Sequence, residues 1–415
     1  MHVSYYIAIF AAGSVAYANV ISIPEVFKRD ASQCGPGNAG SGGQVCGMGN
    51  CCSSAGYCGT TSAHCGSGCQ SAYGNCGQIF VPNCNGLSGA AYKRTVGYWQ
   101  AASVQGGSGC SSTPPTINTN GLTHLNYAFV KFDANTFTVQ EDSPSLYKQF
   151  TALNSTVQTW VSIGGGGFST SAWTSMASSS ESRRTFINSL KSFMIKYGFQ
   201  GADIDWEFPG PSDTANLVAL IKEMRAAFGY QLGISFALAP DYGDMRYTDA
   251  YGMRPFLDWF NLMAYDMNYG STVLKAHTDI RDITALTRNL FANNIDMSKV
   301  NLGLAYYGRG FTLGNKNCNT LDNSCAGTAK ISAYGCSSGT DGVLTLADIK
   351  SLIQSRGLTP TYNSDAMVQT ITWDNNWIAY DDEKTLPLKR NWATQNCFGG
   401  TAIWSVDLYN KGRAY

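Results

Sequence analysis

A chain of 415 residues is long enough for two or three domains, or for one large barrel plus a small module, at about 150 residues per domain. Lys+Arg 28 balance Asp+Glu 28, so there is no basic footprint for nucleic acid or anionic lipid, and a neutral partner is expected. Only 13% of the residues are charged while Gly contributes 45, Tyr 23 and Trp 9, and no apolar run reaches the ~20 residues of a membrane-spanning helix. Disorder and membrane residence are thereby excluded as descriptions of the whole chain.

The apolar run Tyr5 to Ala12, closed by the small residues Ala16 and Ala18, reads as a signal peptide over residues 1–18. Lys28-Arg29 offers a dibasic cut that makes 19–30 a possible propeptide. Fourteen cysteines behind such a leader predict disulfides in an oxidising compartment, not zinc or redox chemistry, and a secreted protein, extracellular or in a cell wall. Eight of them (Cys34, Cys46, Cys51, Cys52, Cys58, Cys65, Cys69 and Cys76) crowd a Gly- and Ser-rich segment with too little apolar matter for a core. Residues 31–77 are therefore expected to be a stapled module, with 105 pairings open on spacing alone. The other six include Cys84 and Cys110, which we expect to pair.

After a linker at 78–92, strand-like runs recur at Val96–Trp99, Leu125–Val130, Thr159–Ile163, Ala202–Phe208, Leu232–Leu238, Trp259–Tyr265, Val300–Tyr306 and Thr401–Val406. Helical stretches such as Ser182–Tyr197, Thr214–Phe228, Asp279–Asn294 and Leu346–Arg356 lie between them. Eight such alternations over 93–415 predict an α/β fold, a (β/α)8 TIM barrel, although an open doubly wound sheet shares the periodicity. Residues 312–372 are too many for one crossover and carry Cys318, Cys325 and Cys336, so an α+β insertion is expected between strands 7 and 8.

In Gly201-Ala202-Asp203-Ile204-Asp205-Trp206-Glu207 three acids stand at i, i+2 and i+4. On a strand they share one face about 6–7 Å apart, with Ile204, Trp206 and Phe208 on the other. Like charges so aimed repel and raise one another's pKa, which no folding argument favours. A metal is the alternative, but the chain's histidines (His2, His64, His124 and His277) lie elsewhere in the sequence, so no metal and no cofactor are expected. Catalysis is the better reading.

These acids, with Ser162-Ile163-Gly164-Gly165 before them and Met263-Ala264-Tyr265-Asp266 after, resemble the glycoside hydrolase family 18 chitinases. Gly97-Tyr98-Trp99, Tyr307-Gly308-Arg309-Gly310-Phe311 and Ala402-Ile403-Trp404 extend the resemblance over about 93–411. Likewise Cys51-Cys52-Ser53-Ser54-Ala55-Gly56-Tyr57-Cys58-Gly59 resembles the hevein-type chitin-binding module, and module plus insertion are similar to the fungal killer-toxin-like subgroup.

The resemblance implies the pairs Cys34–Cys52, Cys46–Cys58, Cys51–Cys65 and Cys69–Cys76, and a sugar platform of Ser53, Tyr57 and His64, with Ala55 where an aromatic is usual. It implies substrate-assisted catalysis, in which the acetamido oxygen of N-acetylglucosamine is the nucleophile. Glu207 is then general acid and base, Asp205 steadies the acetamido N–H, Asp203 shares a proton beneath it, and Tyr265 aligns the acetamido oxygen. Tyr98, Asp266, Arg309 and Trp404 are the implied substrate contacts, and Ser162 and Gly164 support the acids.

Three departures stand out: Gln200 replaces an Asp, Gly166-Gly167-Phe168 replaces an aromatic after the Gly-Gly pair, and little chain follows Asp407. The expected partners are chitin and chito-oligosaccharides, met by a monomer, with the module raising local concentration on solid chitin. A chitin lectin, a toxin subunit docking on chitin, and an endoglycosidase of N-glycans are the alternatives. Asn154-Ser155-Thr156 is a glycosylation sequon.

Overall fold

The computed structural model describes residues 33–36, 44–77, 79, 81–84, 90–105, 112–153, 156–268, 270–337 and 342–409. The expected leader, the Lys28-Arg29 site, Cys110 and Asn154 lie outside them.

Eight parallel strands close a barrel: β1 (Arg94–Gln100), β2 (His124–Val130), β3 (Gln158–Gly164), β4 (Gly201–Asp205), β5 (Gly233–Leu238), β6 (Trp259–Leu262), β7 (Val300–Ala305) and β8 (Gly400–Trp404). Each pairs with its sequence neighbours and β8 closes on both β1 and β7, which rules out the open sheet. Helices cover the strands on the outside, so apolar runs such as that of β4 are buried along their whole length. Among the described residues the longer ones are α1 (Pro144–Thr151), α2 (Thr170–Ala177), α3 (Ser180–Tyr197), α4 (Thr214–Phe228) and α5 (Ile280–Ala292), then α6 (Leu346–Arg356) in the insertion and α7 (Thr385–Gln395). The sequence places their stops: α3 starts where the Ser179 side chain accepts from Ser182 N and ends at Gly198, φ 83°. Trp160, stacked on Trp259 at 4.4 Å, packs against Gly201 and Gly233 inside the barrel, where any Cβ would meet its ring within 2.4 Å.

The insertion is wider than 312–372. Its antiparallel sheet already begins with Tyr307–Leu313 and ends with Asn376–Tyr380, because these two strands pair, Arg309 opposite Ala379 and Phe311 opposite Trp377. It has its own small core around Phe311, Trp377, Val368 and Leu274, and helix α6 packs with it. Cys318 bonds Cys325. Cys84 does not take Cys110: it bonds Cys397, beyond the end of α7, and closes a loop with sequence separation 313. In the chain-entropy picture so long a loop is worth about 5–6 kcal/mol. Spacing along the chain hides such a pair, since the barrel alone brings its ends together.

The module's eight cysteines bond as Cys34–Cys52, Cys46–Cys58, Cys51–Cys65 and Cys69–Cys76, the set the resemblance implies. It has two short strands, Cys51–Cys52 and Cys58–Gly59. It is also seated on the barrel. Met48 is buried in the same apolar cluster as the barrel helices, and Gly47 and Gly49 lie so close to the backbone of Arg246 and Ala292 that a Cβ would stand 2.5 and 2.2 Å from a carbonyl oxygen. Hydrogen bonds cross the seam from Asn50 Nδ2 to Asn289 Oδ1 (2.8 Å), from Arg288 Nη2 to Thr60 O (2.8 Å) and from Tyr242 OH to Gly47 O (3.2 Å).

Candidate active site

Strand β4 carries the acids upward to the C-terminal mouth of the barrel, where this fold builds its sites. Asp203 is fully buried and surrounded by donors: Ser162 Oγ (2.7 Å) and Tyr98 OH (2.9 Å) on Oδ2, Ser235 Oγ (2.6 Å) and Asn261 Nδ2 (3.1 Å) on Oδ1. Burial pushes its pKa up and the four hydrogen bonds oppose that. Donors thus meet both oxygens of Asp203, while burial outweighs them and holds its carboxyl above the ordinary value.

Asp205 lies beside Glu207, each carboxyl acting on the other, and among the described residues its Oδ1 has no hydrogen-bond partner. Burial first, then the charges of Glu207 and Asp203, hold the Asp205 carboxyl well above the usual carboxylate range. Glu207 is raised too, by burial and then by the charge of Asp266, while its bond to Asp205 pulls the other way. Both shifts run in the direction that favours a proton on the pair. Gly164 lets the end of β3 lie against the backbone of β4: its φ is +102° and a Cβ would stand 2.3 Å from the Asp205 backbone O.

Strand β4 stops at Asp205, two residues short of the acid. The alternation expected through Phe208 therefore fails: Trp206 is buried as predicted, but Phe208 turns to line the cleft beside Glu207.

The cleft is about 440 Å³ and is lined by Tyr98, Asp205, Glu207, Tyr265, Asp266, Arg309 and Trp404, all seven of which the sequence picks out, and by Asp241, which it does not. Trp404 stacks on Phe129 at 5.4 Å and tilts against Tyr98 at 5.6 Å, giving an aromatic surface. The Tyr265 phenol is held well above its ordinary pKa by burial and by the charges of Asp205 and Glu207, so it stays a donor. Asp266 sits at φ 59° and accepts Arg309 Nε (2.5 Å) and Nη2 (2.6 Å) and Tyr307 OH (2.7 Å). Burial alone would raise its pKa, but Arg309 and His277 outweigh it and hold the carboxylate charged.

Gly166 lines the cleft with its Cβ position 3.6 Å from Glu207 Oε2. Gln200 lies elsewhere: its Oε1 accepts Thr159 N (3.0 Å) at the start of β4, far down the strand from the acids.

Sequence reasoning misses Ser235 and Asn261, which hold Asp203, and His277 and Tyr307, which hold Asp266. A signal existed for the first two, since a lone polar residue in Gly233-Ile234-Ser235-Phe236 or Trp259-Phe260-Asn261-Leu262 marks a strand face turned to something polar.

In the module, Ser53 is buried with Oγ accepting Tyr57 N (3.1 Å), while Tyr57 is exposed. His64 is half-buried, its Nδ1 on Thr61 Oγ1 at 2.7 Å, and it lines a cavity in the seam with the barrel.

A barrel with paired acids at its mouth and aromatics around them is the frame of a glycoside hydrolase. Residues 94–408 match Glycosyl hydrolases family 18, and residues 33–78 match Chitin recognition protein. The chain belongs to glycosyl hydrolases family 18 and carries a chitin-recognition module before the barrel. It is 30% identical over 339 residues to a probable endochitinase of Caenorhabditis elegans, covering 72% of this chain and 54% of that one. It is 32% identical over 316 residues to a class V chitinase of Arabidopsis thaliana, covering 70% of this chain and 81% of that one. The chain thus spans about half the length of the nematode relative and most of the plant one. Among solved structures it is similar to a class V chitinase mutant of Cycas revoluta in complex with (GlcNAc)3, with TM-score 0.69, 27% identity and coverage of 77% and 96% of the two chains.

Proposed function

We propose that the protein is a secreted, monomeric chitinase that hydrolyses β-1,4 bonds between N-acetylglucosamine units and holds chitin through its module. The observation that carries the reading is the placement of Asp205 and Glu207 side by side in the cleft, both carboxyls raised by burial, above an Asp203 held by four donors. A carboxyl that shares its neighbour's proton is a poor nucleophile, which supports attack by the substrate itself.

Glu207 donates its proton to the glycosidic oxygen as the C1–O bond breaks, and the acetamido carbonyl oxygen forms the new bond to C1. Asp205 turns its carboxylate to the acetamido N–H and offsets the positive charge of the oxazolinium ring. Tyr265 donates to the acetamido oxygen and aligns it for attack. Glu207, now the base, takes a proton from water as that water opens the ring, and the sugar leaves with retained configuration. Trp404 and Tyr98 face the sugar undergoing distortion, and Asp266 with Arg309 forms the charged wall beside it.

Ser53, Tyr57 and His64 are the module's sugar contacts in this reading. The disulfide-rich module supports an extracellular protein, and module plus Cys-bearing insertion support the killer-toxin-like subgroup. Sugar release from colloidal chitin, against release of N-glycan from a glycoprotein, tests the assignment: cleavage of the glycoprotein alone would replace it with an endoglycosidase.

A further inference from the structure

The module's Tyr57 and Gly59 are two residues apart in extended chain, so their side-chain directions share a face. The Cβ position of Gly59 points at the His64 ring, 2.6 Å away, which puts His64 on the Tyr57 face. That face runs on into a cavity of about 90 Å³ between module and barrel, lined by Asn50 and His64 from the module and by Tyr242, Arg288 and Asn289 from the barrel. At ~30 Å³ per water the space suits one small polar group, not a whole sugar ring.

Among the described residues, two buried polar atoms of residues lining this cavity have no hydrogen-bond partner: Asn50 Oδ1, an acceptor, and Arg288 Nε, a donor. The Asn50 orientation is set from behind. Asn289 Nδ2 donates to Leu286 O (3.1 Å), its Oδ1 accepts Asn50 Nδ2 (2.8 Å), and the Asn50 oxygen is what remains. Asn50 is 1% exposed, so leaving its oxygen unmatched costs about 1–3 kcal/mol.

We propose that the seam is a composite sugar subsite, in which the barrel completes the module's platform and receives the acetamido group of one N-acetylglucosamine unit of a chain lying across Tyr57. The acetamido carbonyl accepts from Arg288 Nε and its N–H donates to Asn50 Oδ1, one donor and one acceptor for one acceptor and one donor. An anion fits less well: among the described residues Arg288 is the one full cation lining the cavity, and burial lowers the pKa of His64. The segment that follows β5 joins both sites, since Asp241 lines the catalytic cleft and the next residue, Tyr242, lines the seam. The proposal rests on the chitin-binding reading of the module.

The test is chitotriose titration of the full chain carrying Glu207→Gln, labelled with 15N-arginine. Arg309 Nε–H reports the cleft and Arg288 Nε–H, assigned by its loss in Arg288→Met, reports the seam. Both should move saturably, and adding Tyr57→Ala should weaken the Arg288 response about tenfold while Arg309 still responds with its original midpoint. An Arg288 signal that stays still while Arg309 moves, or one that moves with unaltered affinity in Tyr57→Ala, overturns the composite subsite. If neither signal moves, the chitin-binding reading falls with it.

Discussion

Glu207→Gln changes one oxygen for an amide and should move activity and stability in opposite directions. The amide keeps the length of the side chain and can donate to Asp205, so the cleft keeps its shape, but no proton can pass to the leaving oxygen. General acid–base catalysis is worth about 10²–10⁴-fold, or about 2.7–5.5 kcal/mol of barrier at 1.36 kcal/mol per tenfold. Turnover of a soluble chito-oligosaccharide should fall by at least that factor, with retention on chitin unchanged. Stability follows from the direction of the pKa. Burial raises the Glu207 carboxyl in the folded protein, so the folded state binds more protons than the unfolded chain over the interval between the two values. Wild-type stability therefore declines as the pH rises from the unfolded value of about 4.3 through the folded one. Gln has no proton to lose, so the variant should gain on wild type across that interval and keep the gain above it. Urea midpoints at pH 4 and pH 8 read the difference. Near-wild-type turnover, or a variant less stable than wild type at pH 8 and not at pH 4, would refute the reasoning.

Asp205→Asn should lose most of the rate and Tyr265→Phe distinctly less, since the first removes the charge opposite the oxazolinium and the second one aligning hydrogen bond; kcat on chitotetraose compares them. Cellotetraose, which has no acetamido group, should be inert under conditions that consume chitotetraose, as product chromatography will show. Lys389→Met should cost about 3–5 kcal/mol in denaturant unfolding, because it strands Asp381 as an unpaired charge. Both side chains are 1% exposed at 2.6 Å, and all three Lys389 hydrogens are used, on Asp381, Thr278 O and Thr278 Oγ1. Removing residues 31–77 should lower the melting temperature of the barrel, since Asn289 and the α5 face under Met48 become exposed; an unchanged melting temperature would mean that the seam adds nothing to the barrel's stability.

The barrel was legible because its strands are apolar runs separated by long connections, most of them holding helices with readable stops, and all eight runs overlap observed strands. The acids were legible because three carboxylates at alternate positions have no folding rationale. Other features depend on contacts between distant segments. Cys84 meets Cys397 only once the barrel is closed, and Arg309 belongs to the insertion sheet because its strand pairs with Asn376–Tyr380, some 70 residues on. Phe208 shows the limit of periodicity, since nothing in its pattern says that β4 ends at Asp205. The seam is the largest gap: Met48, Asn50 and Tyr242 look like ordinary surface residues until the two units are seen together.

The proposed nucleophile is tested most directly by inhibition with the thiazoline analogue of the bicyclic intermediate formed from chitobiose. If the substrate's acetamido oxygen attacks C1, the analogue carries the shape of that intermediate in stable form and should inhibit competitively, with Ki at least about 10²-fold below KM. Inhibition no tighter than the substrate itself, together with a sugar ester trapped on a carboxylate of this chain, would contradict the mechanism.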